Sequence, residues 1–181
     1  MDEAASPEAL RFRLTNGTEI VSFSLINDSK VKGNGCDRLL LISFPPHSAG
    51  DLFLTAIKEG HGVSGYVCGT LTKRERLTHE SMQTHDDDGT VLCIHSVCVS
   101  SSLRRQKIGL RLLKAYISTI KLVRPNVRSV RLIAKPYLIP FYELAGFKVV
   151  GPSDIVHGKD QWIECALSLD PESEVRGRDC D

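Results

Sequence analysis

Between an apolar run and an amphipathic one lie seven residues, Arg104-Arg105-Gln106-Lys107-Ile108-Gly109-Leu110, that read as a site for an anion. The first turn of a helix leaves backbone N–H groups without intrahelical acceptors and carries a partial positive charge. A phosphate placed there meets several donors at once. Gly109 lets the backbone come close, and Arg104, Arg105 and Lys107 add charge. Cations at a helix N-terminus oppose the dipole, a local cost that a bound anion relieves; the plainer alternative is a solvated basic turn. Just upstream, His95 sits inside the apolar run Val91 to Val99. An imidazole near neutrality suits proton removal, though alone it reads as well as a hydrogen-bonded core histidine. Tyr142 carries a phenol that is a donor at pH 7, the form a general acid needs. Its alternative is to pack as an ordinary aromatic with Phe141 and Phe147. Those two read as core, so Tyr142, beside them on a helix, is expected to point elsewhere.

The elements that must position these groups are clearest in the second half of the chain. Val91 to Val99, nearly all apolar and rich in β-branched residues, predicts a central strand buried on both faces. A helix follows from about Arg105 to Ile120, with Ile108, Leu112, Tyr116 and Ile120 at four-residue spacing and Leu113 and Ile117 widening the stripe. Ser129 to Ala134 predicts a strand. Leu138 to Ala145 predicts a short helix with Pro140 in its first turn and a left-handed cap at Gly146. Phe147 to Val150 and Gln161 to Leu169 predict two more strands, the last alternating Ile163, Cys165, Leu167 and Leu169. In the first half, a short helix from Ser6 to about Leu14, a polar loop from Asn27 to Gly35, and strands at Arg38 to Phe44, Asp51 to Ile57 and Val63 to Leu71 are expected. The succession implies an α/β (α+β) fold, a mixed central sheet flanked by helices.

Bulk properties narrow the function classes. At 181 residues the chain suits one domain, expected over 1–170 with a charged tail over 171–181. The net charge of +1 gives no global field toward nucleic acid or an anionic membrane, so any anion site must be local. None of the six cysteines stands in a CxxC pair, and no metal is expected. The opening residues lack the features of a signal peptide, and a reducing cytoplasmic setting is expected.

Three motifs carry a family resemblance. Arg104 to Leu110 resembles the pyrophosphate loop of the GNAT superfamily of N-acetyltransferases, written Arg/Gln-x-x-Gly-x-Gly/Ala, with Lys107 where that pattern has Gly. Ile94-His95-Ser96-Val97-Cys98-Val99 resembles the His-x-His-Val strand of the arylalkylamine (serotonin) N-acetyltransferases, with Cys93 in place of the first His. Leu138-Ile139-Pro140-Phe141-Tyr142-Glu143-Leu144-Ala145-Gly146-Phe147 resembles the family's Pro-Phe-Tyr-Glu/Gln-x-x-Gly-Phe signature. The stretch Gly69 to Met82 looks like that enzyme's strand and following loop, and the likeness runs from about Gly65 to Leu169. Fungal polyamine acetyltransferases are similar too. The family's first strand and helix are expected to be missing here.

The resemblance implies direct transfer of an acetyl group from acetyl-CoA to a primary amine. It implies that His95 assists loss of the amine proton and that Tyr142 protonates the departing CoA thiolate. It implies that Val97, Cys98 and Val99 pair with the pantetheine arm, that Arg104 to Leu110 holds the pyrophosphate, and that Cys98 and Ile133 border the acceptor. A small amine is the expected partner: an arylalkylamine wanting an apolar slot, or a polyamine wanting carboxylates such as Glu75, Glu80 or Asp86-Asp87-Asp88. Two other mechanisms or classes stand beside it: a ping-pong path through Cys98 or Cys165, and a non-catalytic acyl-CoA-binding module. A nucleotide-binding reading lacks a Walker Gly-Lys-Ser/Thr sequence.

Overall fold

The computed structural model describes residues 21–23 and 39–43 as strand backbone, and residues 52–58, 60–155 and 161–170 in full. The expected N-terminal helix, the Asn27 to Gly35 loop and the tail after Pro171 lie outside the described residues. In chain order the strands are β1 (Val21–Phe23), β2 (Leu39–Ser43), β3 (Phe53–Lys58), β4 (Gly62–Thr72), β5 (Val91–Val99), β6 (Ser129–Ala134), β7 (Lys148–Pro152) and β8 (Ile163–Ser168). The helices are α1 (His79–Gln83), α2 (Ile108–Val123) and α3 (Ile139–Glu143).

The chain divides into two compact units, one of residues 1–68 with 96–113, the other of 69–95 with 114–181. β4, β5 and α2 each contribute one end to each unit. In the first unit β1, β2, β3 and β4 pair antiparallel in sequence order, with Val21 opposite Ser43, Leu41 opposite Ala56 and Phe53 opposite Cys68. The buried residues here include Leu52, Leu54, Ala56 and Val67 from the strands and Leu103, Ile108, Leu112 and Leu113 from the β5–α2 segment. Each fully buried aliphatic side chain of this kind contributes about 1.5–3 kcal/mol.

In the second unit the pairing is mixed. β5 runs parallel to β6 from Val91 opposite Ser129 to Cys93 opposite Arg131, while β6 and β8, and β8 and β7, run antiparallel. Strict alternation along β6 explains its two faces: Val130, Leu132 and Ala134 are buried, and Ser129, Arg131 and Ile133 are half-buried on the other side. That other side carries a small apolar cluster of Leu77, Cys93 and Ile155, with Met82 and Ile133 packed on it. Tyr116 and Ile120, the second half of the predicted helical stripe, are buried as well.

Several expectations shift. β5 is buried only over Val91 to Ile94; His95 is exposed, and Ser96 to Val99 are half-buried. α2 begins at Ile108 rather than near Arg105, because the residues before it adopt left-handed backbone. The segment after β4 was expected as a loop, yet it contains α1, stabilised by a capping box between Thr78 and Ser81. In β8, Glu164 is buried along with Cys165, which breaks the simple alternation. α3 closes as expected at Gly146, whose φ of +97° a side chain would resist. There the Phe147 N–H donates to the Tyr142 carbonyl and the Gly146 N–H to the Glu143 carbonyl, a Schellman arrangement.

Candidate functional site

The residues named from sequence fall into two groups, one in each unit. In the first unit, β5 ends at Val99 and the chain turns through Ser101–Leu103 as a short 3-10 segment. The Ser100 N–H donates to the Ser64 carbonyl at 2.9 Å, tying this exit to β4. The Arg104 side chain folds back, its Nε donating to the Val99 carbonyl at 3.2 Å. Gln106 is held from both sides: its Nε2 donates to the Ser102 carbonyl at 3.5 Å, and its Oε1 accepts from Lys58 Nζ at 3.4 Å.

The loop's backbone is unusual. Arg105 has φ of +65° and Lys107 of +60°, with Gln106 between them at negative φ. A non-glycine residue in this region costs roughly 1–2 kcal/mol. Alternation of φ sign along successive residues turns their N–H groups toward one side, the geometry of an anion-binding concavity. Lys107 then leads into α2, its carbonyl accepting from the Arg111 N–H at 3.1 Å. The N–H groups of Ile108, Gly109 and Leu110 form the first helical turn, where no intrahelical acceptor exists. Arg104, Arg105, Gln106 and Lys107 therefore lie ahead of the helix rather than in its first turn. The glycine of the family pattern corresponds to Lys107, and the positive φ there is the physical reason a glycine suits that position.

In the second unit, His95 Nε2 lies 2.8 Å from Thr70 Oγ1. The Thr70 hydroxyl donates to the Ser81 carbonyl at 3.0 Å. A carbonyl only accepts, so the single hydroxyl hydrogen of Thr70 is committed to Ser81. His95 Nε2 must then carry the hydrogen in its contact with Thr70, which leaves Nδ1 as the ring's accepting nitrogen. Ser81 is itself fixed by the capping box: its N–H donates to Thr78 Oγ1 at 3.1 Å, and its Oγ accepts from the Thr78 N–H at 2.9 Å. Sequence reading missed Thr70 and Ser81; the signal available was the Thr-x-x-Ser spacing of a cap.

Cys93 and Cys165 are both buried, and burial first of all pushes each thiol up to about 11. Both are protonated at neutral pH. Cys93, which stands where the resembled strand has its first His, thus packs as a neutral thiol against Leu77 and Ile155, with a hydrogen bond to the Ser81 side chain. A ping-pong path through Cys165 has no thiolate to start from. Tyr142 is buried, its ring edge-on to Phe141 at 5.0 Å and to Phe147 at 5.9 Å. It packs with both phenylalanines instead of pointing away, while Phe141 is only half-buried. Near Ile133, the Arg131 guanidinium meets the buried Glu164 carboxylate at 2.6 Å. Lys135 Nζ stands 5.7 Å from the centre of the Trp162 ring.

Four acidic residues after β4, Glu80, Asp86, Asp87 and Asp88, have cationic neighbours. Glu80 pairs with Arg74 at 2.7 Å, Asp86 and Asp88 with Lys73 at 3.2 and 3.7 Å, and Asp87 with His85 at 2.8 Å and Arg124 at 3.5 Å. Among the described residues no cluster of three or more His, Cys, Asp and Glu is arranged to hold a metal ion, and no helix is long and apolar enough to cross a membrane.

Residues 80–160 match the family described as the acetyltransferase (GNAT) domain. The serotonin N-acetyltransferases of Mesocricetus auratus and Homo sapiens are each 34% identical to this chain over 119 residues, 66% of the chain and 56% of the relative. The chain thus matches little more than half the length of those relatives. Among solved structures, the loading GNATL domain of CurA from Lyngbya majuscula superimposes with a TM-score of 0.57 at 12% identity, covering 66% of this chain and 77% of that one.

Proposed function

We propose that this chain, whose residues 80–160 match the acetyltransferase (GNAT) domain and which is similar in sequence to the serotonin N-acetyltransferases, transfers an acetyl group from acetyl-CoA directly to a primary amine. The observation that carries the reading is the contact of His95 Nε2 with a Thr70 hydroxyl that donates to the Ser81 carbonyl, an arrangement that sets the ring's tautomer.

An amine at neutral pH is an ammonium and must lose a proton before it can attack. His95, with Nε2–H turned to Thr70, offers Nδ1 to take that proton directly or through a water. The amine nitrogen then attacks the thioester carbonyl carbon, and the carbon–sulfur bond breaks as the tetrahedral adduct collapses. Tyr142 gives its phenolic proton to the leaving thiolate. The ammonium nitrogen sheds two protons in all: one passes through His95 to solvent, and the other balances the proton taken up by sulfur. Arg104 to Leu110 receives the pyrophosphate of acetyl-CoA on the alternating backbone and its cations. The backbone of Val97, Cys98 and Val99 accompanies the pantetheine arm as an added strand would.

For the acceptor, the half-buried Ile133 beside Leu77, Ile155 and Met82 supplies an apolar lining. Of the carboxylates a polyamine could use, Glu80, Asp86, Asp87 and Asp88 already stand beside Lys73, Arg74, His85 and Arg124. Both points favour an arylalkylamine. The test is thiol release by the purified chain with acetyl-CoA and tryptamine, serotonin, phenylethylamine, spermine and putrescine in turn. Release with the arylalkylamines, at rates well above those with the polyamines, is the expected result. Binding of acetyl-CoA with no release from any amine would instead support a non-catalytic acyl-CoA-binding module.

A further inference from the structure

A turn outside the groups named above is docked onto β4 directly beside Thr70. The Leu71 N–H donates to His85 Nδ1 at 3.1 Å, and the Leu71 carbonyl accepts from the Asp86 N–H at 3.0 Å. Residues 85 and 86 thus satisfy both backbone groups of Leu71, as a neighbouring strand would. Gly89 closes the turn through its N–H to the Asp86 carbonyl at 2.8 Å. It lies so close that a Cβ there would stand 2.8 Å from the Leu71 carbonyl carbon and overlap the Thr72 nitrogen.

The His85 ring is held in one tautomer from both sides. Nε2 is 2.8 Å from Asp87 Oδ1, and a carboxylate only accepts, so Nε2 carries the hydrogen. That leaves Nδ1 as the acceptor the Leu71 N–H requires. The His85 hydrogen bond, and after it the nearby Arg124, hold the Asp87 carboxyl below the usual carboxylate range, which keeps it an acceptor. The other charges on the turn, Asp86 and Asp88, are taken by Lys73. Two imidazoles therefore contact adjacent residues of β4: His85 the backbone of Leu71, His95 the side chain of Thr70.

We propose that His85 is a positioning residue for His95, pinning β4 at Leu71 so that the Thr70 hydroxyl is held where it sets the His95 tautomer. The proposal rests on the proton-removing role of His95, but His85 acts through the strand and touches no substrate. Loss of the His85 acceptor leaves the Leu71 N–H without its partner and frees β4 at the residue next to Thr70. The cost is of the size of one neutral hydrogen bond, felt at the base rather than at the acetyl-CoA loop.

The test compares the wild-type chain with His85→Ala and His85→Asn, whose side-chain oxygen takes the place of Nδ1 as acceptor for the Leu71 N–H. Two quantities are read: the 15N chemical shifts of the His95 ring, which report its tautomer, and kcat and KM with acetyl-CoA. In His85→Ala the two His95 ring shifts should converge toward those of a tautomer mixture. Its kcat should fall about five- to tenfold, the scale of one neutral hydrogen bond, with KM for acetyl-CoA unchanged, and His85→Asn should recover most of both. Wild-type His95 shifts and kcat in His85→Ala would overturn the proposal and leave His85 as a brace for its own turn. If His85→Ala does not fold, Asp87→Ala, which removes the acceptor that holds the His85 Nε2–H, is read in the same way. Converged His95 shifts in a chain whose wild type shows no turnover would support the positioning role and refute the catalytic reading instead.

Discussion

Tyr142 is fixed by its aromatic body, edge-on to two phenylalanines, so only its hydroxyl distinguishes it chemically from the phenylalanine that would replace it. Tyr142→Phe should therefore keep the fold and the KM for acetyl-CoA while kcat falls by about a hundredfold, at the low end of what general acid catalysis contributes. Steady-state kinetics beside a thermal melt checks this; an unchanged kcat would remove the general-acid role. At the same scale, the sequence singles out His95 and Tyr142 as candidates because each sits in a recognisable local pattern. It does not single out Thr70 and Ser81, since hydroxyl residues are common and the Thr70–His95 contact joins positions 25 residues apart. Tyr142 was expected to face away from Phe141 and Phe147. A five-residue helix closed by a Schellman turn folds Phe147 back onto it instead.

The element proposed to hold acetyl-CoA is the loop entering α2, and there the chain spends backbone energy. Lys107 at φ +60° bears a strain that glycine would not. Lys107→Gly should raise stability by about 0.5–1 kcal/mol, the relief exceeding the added freedom of the unfolded chain. For a chain of this length that is about 1–4 °C in Tm, measured by calorimetry. A lower Tm would mean the lysine side chain contributes more than its backbone costs. The strands β5 and β6 matched their predicted bounds because unbroken or alternating apolar runs mark them. The start of α2 was placed about three residues early, since periodicity cannot see a left-handed turn in polar sequence. α1 carries no helical periodicity in the sequence, because its five residues are held by a capping box rather than by an apolar stripe.

At the scale of the whole molecule, a net charge of +1 leaves recognition to local groups. The structure provides these as two sets: cations on a strained loop in one unit, and a tautomer-fixed histidine with a packed tyrosine in the other. Neither buried cysteine is ionised at neutral pH, which accords with the proposed roles of His95 and Tyr142. The central claim is that a histidine of fixed tautomer takes the acceptor's proton. It is tested most directly by the pH dependence of kcat/KM for the arylalkylamine in the wild-type chain and in His95→Ala. The variant is expected to lose about a hundredfold at neutral pH, the low end for a general base, and the loss to shrink steadily as alkaline pH deprotonates the amine without help. A variant whose profile overlays the wild type across the whole range would contradict it.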